Sequence, residues 1–379
     1  MNQFKKLNNI VGWVVFLIAS FVYLSTIEQT VSFWDCGEYI ATAYKLEVGH
    51  PPGAPLFQLF GRIFTLFAAQ GTSEVAVAIN IMSALCSSFT ILFLFWTITA
   101  FGRKMFFKDE KNIEFGRIIA VLGSGVVGAF AYPFSDSFWF SAVEGEVYAM
   151  SSLFTAVTFW CIMKWEQEAD KTHASRWLVL IGYLIGLSVG VHLLSLLTIP
   201  AMGMIYYFKK YEYTKAGAIK AFVSSMIILG LVQGVIIPGA VSLISTFELF
   251  FVNTIGLPFN SGTIIYFLAI IGLITFGLVY TKKHNKAVWN TAILGMMMLL
   301  IGYSSFAILV VRSNANPPID ENNPEDAVGL LSYLKREQYG SWPIVYGQHF
   351  NAKLDSREPY IDGNPIYAKD EKKRQICDY

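Results

Sequence analysis

The 379-residue sequence predicts an all-α, multi-pass membrane protein, and three observations carry that prediction. Hydrophobic residues make up 54% of the chain, charged residues only 15%, and mean hydropathy is +0.49. Soluble domains carry about 25% charged residues, so a globule of this composition lacks the polar groups to cover its surface. Apolar runs long enough to cross a bilayer recur along the chain, and Lys and Arg gather in alternate connections between them. The formal net charge of +1 removes the uniform basic field that nucleic-acid binding requires.

A helix needs about 20 apolar residues to cross the roughly 30 Å hydrocarbon layer. Runs that meet this need lie near residues 9–27, 75–100, 117–134, 147–163, 219–244, 263–280 and 288–311. The first follows Lys5 and Lys6 but lacks a small-residue cleavage site, so it reads as an uncleaved anchor. A further run from Trp177 to Phe208 is long for one span and short for two. Gly190, His192 and Pro200 interrupt it, and it reads as two short helices meeting near Val191 to Leu193. The expected bundle therefore has about nine spans.

Basic residues are retained on the cytoplasmic side of a bilayer. With the N-terminus inside, the inner segments carry seventeen of the 28 Lys and Arg residues. The outer connections carry only Lys45 and Arg62, and nine residues lie from Arg312 onward. The expected topology thus has a cytoplasmic N-terminus and an external tail. Residues 1–311 form the membrane domain. The polar tail, 312–379, holds one amphipathic stretch near Pro324 to Gln338 and reads as the incomplete start of a larger soluble region.

The outer connections concentrate acids. In EQTVSFWDCGEYIATAYKLEVGHPPGAPLFQLFGR, Asp35 and Glu38 stand three apart, which puts them on one face of a helix. Asp35 also has the setting of a helix N-cap, and both readings stand. GHPPGAP is a stiff elbow that opens with His50, which reads as structural or as part of a site. Arg62 is a candidate partner for a lipid phosphate, with pairing to Glu38 or Glu47 as the alternative. A second connection, YPFSDSFWFSAVEGEVYAM, supplies Asp136, Glu144 and Glu146 among aromatics and contains no basic residue. Acids interleaved with aromatic faces suit a sugar-binding lip, although Trp and Tyr populate membrane interfaces anyway. Glu146 opens the next span, where an acid also complements the helix N-terminus, so Glu144 is the better candidate. His192, at the outer break, reads as inter-helix packing or as a neighbour of these loops. Cysteine spacing gives neither a zinc site nor a disulfide framework, and leaves a Cys36–Cys377 bond open.

WDCGEYIATAYKLEVGHPPGAPLF resembles the first outer loop of a family of membrane glycosyltransferases abundant in Bacteroidetes and related to protein O-mannosyltransferases. The likeness extends through SAVEGEVYAM, GVHLLSLLTIP and NPPIDENNPEDAVGLLSYLKREQYGSWP. It implies a GT-C-like bundle with a long first outer loop and a polyprenyl-phosphate sugar as donor. It puts Asp35 at the catalytic acid, with Glu38 and His50 in the same motif, and implies that this chain is the truncated N-terminal part of a longer protein. The sequence lacks the adjacent Asp-Glu pair of better-known O-mannosyltransferases.

Together these readings give an expected function. The protein moves mannose or a similar hexose from a lipid-linked donor to a Ser or Thr hydroxyl of an exported protein, with inversion. Asp35 is the general base, Glu38 a second catalytic acid, and His50, Arg62, Glu144, Glu146 and His192 bind substrate. The outer acids are compatible with a divalent metal, but nothing in their spacing requires one. Two alternatives remain: a secondary transporter, disfavoured because the spans carry almost no interior charge, and a transferase acting on a polysaccharide or lipid acceptor.

Overall fold

A computed structural model describes residues 2–68, 71–107, 113–340, 345–357, 360, 367–370, 372 and 375–378. Lys108, Lys111, Lys373 and Arg374, which enter the charge count, and part of the mixed-charge tail lie outside the described residues.

The described chain is almost wholly helical. It runs α1 (Asn2–Ser25), α2 (Cys36–Lys45), α3 (Pro55–Thr65), α4 (Ser73–Phe106), α5 (Phe115–Ala131), α6 (Asp136–Ala142), α7 (Val147–Glu168) and α8 (Ser175–Val189). Then follow α9 (Ile199–Lys210), α10 (Lys215–Leu231), α11 (Ile237–Leu249), α12 (Ser261–Lys283), α13 (Ala287–Tyr303), α14 (Ala307–Ser313) and α15 (Ala327–Lys335). A hairpin of β1 (Tyr367–Asp370) and β2 (Gln375–Asp378) ends it.

Among the described residues, six helical segments are long and apolar enough to cross a membrane, against the nine expected, and the difference has identifiable causes. α5 and α6 form a pair bent by 76°, which makes a seventh crossing if counted as one. The Trp177–Phe208 run does break at Gly190–His192, but its halves are short: the 15 residues of α8 cover about 22 Å and the 12 of α9 about 18 Å. Neither half reaches across alone. The 219–244 run belongs to a longer helical segment, Lys215–Thr254, with a π-helical turn at Val232–Ile236 just before Pro238. Proline has no N–H to give to the ladder, and the wider turn accommodates the gap.

α4 is the axis of the bundle, and 67% of its most apolar window is buried. Its hydroxyls fold back on the helix, with Ser88 Oγ donating to the Ala84 carbonyl and Thr90 Oγ1 to that of Cys86. α12 instead exposes Ile264, Leu268, Ile271 and Phe276, a face that only hydrocarbon solvates without cost. α8 and α13 meet backbone to backbone: a Cβ on Gly182 would stand 2.5 Å from the Gly295 carbonyl oxygen, and one on Gly186 would overlap that of Leu299. Small residues spaced four apart permit this approach.

Residues 312–336 do not leave the membrane part. Val48 pairs in parallel with Asp320, through Val48 N–H to the Ile319 carbonyl and Glu321 N–H to the Val48 carbonyl. Arg312 Nε and Nη2 donate to the Leu46 and Lys45 carbonyls, and the buried Tyr333 hydroxyl donates to the Gly49 carbonyl at 2.6 Å. The first long connection is thereby clasped from above by α14 and α15. The hairpin attaches through Ile376, whose backbone exchanges two hydrogen bonds with the Asn253 side chain. All four cysteines are free thiols, so Cys36 and Cys377 are not joined.

Candidate functional site

Asp35 occupies the N-cap position of α2, but with φ −85° and ψ 2° its side chain makes no capping bond. Its carboxylate turns instead toward His50, with Oδ2 3.7 Å from Nε2, and the side chain is 60% exposed. Trp34, at φ 62° and 89% exposed, precedes it and lets the chain turn sharply into the helix.

One turn on, Glu38 Oε1 accepts the His50 backbone N–H at 2.5 Å and contacts Nδ1 at 3.0 Å. Burial alone would push Glu38 up, but these two bonds and the imidazole charge outweigh it and hold the carboxyl below its usual range. His50 moves the other way. The Glu38 bond raises it, burial opposes, and the charges of Glu38, Asp35 and Glu321 add to the rise. The elbow that presents His50 contains a cis Pro51–Pro52 bond and closes with Gly53 N–H on the His50 carbonyl. Gly53 sits at φ 73°, where a side chain is strained, and a Cβ there would stand 2.7 Å from the Tyr333 hydroxyl.

Glu144 and Glu146 are 4% and 5% exposed on the turn between α6 and α7. Glu146 caps α7, its Oε2 accepting from Val147 N–H at 3.3 Å. Burial nevertheless pushes Glu146 up to about 7, with the charges of Glu144 and Asp35 adding to the rise. Glu144 is raised by burial too, and its Oε2 has no hydrogen-bond partner. His192 starts the 3-10 turn Leu193–Thr198, with Nδ1 accepting from Leu194 N–H at 3.2 Å. Burial lowers its pKa, so the ring is a neutral Nε2–H donor, packed 5.5 Å from the Tyr148 ring.

Asp35, His50, Glu144, Glu146 and His192 converge on one cavity of about 840 Å³. Tyr39, Tyr148 and Trp34 join them on this acid wall, and the facing wall is apolar, built by Ile237, Pro238, Val241, Tyr303, Phe306 and Leu331. Two cations complete the lining, Lys335 at the end of α15 and Arg336 just beyond it. Such a site can take an anionic amphiphile with a polyhydroxylated head: hydroxyls on the acids and histidines, tail on the apolar wall, charge at the cations.

Two of the expected site residues stand outside the cavity lining. Arg62 is away from the cavity lining, donating through Nη1 to the Tyr44 carbonyl at 2.8 Å with its guanidinium over the Tyr44 ring. Nor does it pair with Glu38 or Glu47 among the described residues. Glu38 is also absent from the lining and stands behind His50. Lys335 and Arg336 were missed. Their one signal was the LKRE segment closing the amphipathic stretch, which does not disclose a contact with a loop almost 300 residues earlier. Among the described residues, no group of three or more His, Cys, Asp or Glu side chains could hold a metal ion.

The fold is that of a multi-pass membrane protein, and over part of its length the sequence is similar to an O-mannosyltransferase family. Residues 35–215 match the family described as Protein O-mannosyl-transferase TMEM260 N-terminal domain. The protein O-mannosyl-transferase tmem260 of Dictyostelium discoideum is 28% identical over 144 residues, 38% of this chain and 16% of that protein. The TMEM260 protein O-mannosyl-transferase of Mus musculus is 25% identical over 176 residues, 46% of this chain and 22% of that protein. The chain thus matches about a fifth of the length of these relatives. No solved structure matches it.

Proposed function

We propose that the protein transfers a hexose, mannose or a close relative, from a polyprenyl-phosphate donor to a Ser or Thr hydroxyl of an exported protein. The cavity carries this reading: an acid wall with an exposed carboxylate faces an apolar wall and ends at two cations. The donor's isoprenoid tail lies along Ile237, Val241, Tyr303 and Phe306, its phosphate meets Lys335 and Arg336, and its sugar reaches Glu144, Glu146 and His192. These cations take over the phosphate role expected of Arg62. The names of the relatives supply the sugar and the class of acceptor.

The acceptor hydroxyl is a weak nucleophile until its proton is being removed, and a positioned base contributes roughly 10²–10⁴ in rate. Asp35 is that base, exposed at the cavity mouth where an acceptor segment arrives. As the O–H bond breaks toward Asp35, the hydroxyl oxygen bonds to the anomeric carbon and the C–O bond to phosphate breaks, its electron pair leaving on the phosphate. Direct displacement inverts the anomeric carbon. The basic ends of the helices gather at the far side, where Lys104 pairs with Glu166 and Lys209 with Asp170, which supports a cytoplasmic far face and a periplasmic cavity.

The test is sugar transfer from a polyprenyl-phosphate hexose to an acceptor peptide, read by mass spectrometry, for the unmodified chain and for Asp35→Asn verified to insert and fold. Transfer is expected to fall at least 100-fold in the variant. Full activity in Asp35→Asn would refute the role of Asp35, and proton-coupled solute uptake without transfer would favour a transporter.

A further inference from the structure

The arrangement around His50 is more specific than a substrate-binding residue needs. Glu38 Oε1 takes two hydrogen bonds from His50, and as a carboxylate oxygen it can only accept. Nδ1 must then carry the proton, which leaves Nε2 of the neutral ring as a bare lone pair. That nitrogen stands 3.7 Å from Asp35 Oδ2, beyond a hydrogen bond but within reach of one rotamer adjustment. The ring is fixed on its other sides by Tyr39, 5.6 Å between centroids, and by a backbone clamped at Val48 and Gly49. Gly49 is part of the device, because a Cβ there would stand 2.5 Å from Glu38 Oε1 and drive the carboxylate away.

We propose that His50 relays the proton that Asp35 removes from the acceptor, with Glu38 as the positioning residue that fixes its tautomer. The proposal rests on the reading of Asp35 as general base. Asp35 first gains the hydroxyl proton. Its new O–H bond then breaks toward His50 Nε2, which restores the Asp35 carboxylate and leaves an imidazolium between two carboxylates. The proton passes to water as product leaves. A carboxylate alone is a weak final sink for a proton at neutral pH, whereas an imidazole is matched to it. The groups facing His50 are Asp35, Glu38 and Tyr39 at α2, Glu146 before α7, Glu321 on the segment paired with Val48, and Tyr333 on α15. Every carboxylate in this set favours the imidazolium.

The relay requires a free Nε2, so transfer should rise with pH through the titration of His50. Glu38→Gln keeps a hydrogen-bond acceptor for Nδ1 but deletes the charge that favours imidazolium. The experiment measures kcat and KM for a polyprenyl-phosphate hexose from pH 5 to 9 in the unmodified chain, Glu38→Gln, His50→Gln and Asp35→Asn. Histidine side-chain NMR titration runs in parallel, with the His50 signal identified among the five histidines by its loss in His50→Gln. The expected result is a Glu38→Gln acid limb displaced to lower pH together with the His50 titration. His50→Gln should lose this limb and about tenfold or more in kcat, with donor KM unchanged in both. A His50 titration that moves while the acid limb stays would overturn the relay, as would a His50→Gln loss confined to KM. Both results leave Asp35 as base if Asp35→Asn is inactive. No transfer by the unmodified chain at any pH instead overturns the underlying function.

Discussion

Glu146→Gln should make the protein more stable, and increasingly so as pH rises. Glu146 is 5% exposed, and burial lifts it from 4.5 to about 7 in the folded protein. A carboxyl with a raised folded pKa binds its proton more tightly when folded. Below pH 4.5 both states are protonated and nothing is lost. Between 4.5 and 7 the folded state loses about 1.4 kcal/mol per pH unit, and above 7 the full loss of about 3 kcal/mol is in place. Glutamine cannot ionise and still offers an oxygen to Val147 N–H, so the capping bond survives. The charge of Glu144 contributes to the shift, so the substitution relieves Glu144 as well, and both changes act in the same direction. Thermal or SDS-induced unfolding in micelles from pH 4.5 to 8.5 measures the effect. The variant should match the unmodified protein at pH 4.5 and exceed it by about 2–3 kcal/mol at pH 8. A difference that is absent at pH 8, or that does not depend on pH, would refute the claim that an ionised Glu146 is held against its preference in the cavity wall.

Three further outcomes follow from particular contacts. Gly186→Leu drives a side chain into the Leu299 carbonyl and must separate α8 from α13, so it should destabilise by more than about 2 kcal/mol and weaken donor binding through Tyr303, with thermal midpoint and donor KM as readouts. Arg312→Met removes the donors to the Leu46 and Lys45 carbonyls, should cost about 1–3 kcal/mol, and should open the first long connection to limited proteolysis. Lys335→Ala with Arg336→Ala should raise donor KM about tenfold or more while kcat stays within about twofold, and an unchanged KM would move the phosphate elsewhere.

Local features of the site were legible in the sequence and long-range ones were not. The spacing of Asp35 and Glu38 gave their shared helical face, GHPPGAP gave the elbow, and the Gly190–His192 break gave the short helix pair. The cap reading of Asp35 failed because the local pattern of a cap is silent about a competing partner, and His50 is that partner. Arg62 looked available because the Tyr44 carbonyl that takes it belongs to the end of another helix. Lys335 and Arg336 reach the cavity only because Tyr333 and the Val48–Asp320 bridge fold the segment back over the loop, and no periodicity reports a pairing that distant. Run length likewise counted spans without registering the 76° bend after α5.

The two walls of the cavity come from different parts of the chain, and this divides their work. The ionisable groups of the acid wall, Asp35, His50, Glu144, Glu146 and His192, all lie within residues 35–215, the segment that matches the O-mannosyl-transferase family. The apolar wall and both cations come from Gln233 onward, outside that match. The groups proposed to touch the sugar and the acceptor proton are therefore encoded separately from those proposed to hold a tail and a phosphate. A change of donor lipid can be accommodated at Ile237, Val241, Phe306 or Lys335 without disturbing the Asp35–His50–Glu38 chain. A change in the elbow cannot be so contained, because Gly49 and Gly53 serve both the His50 geometry and the Tyr333 contact that seats the cations.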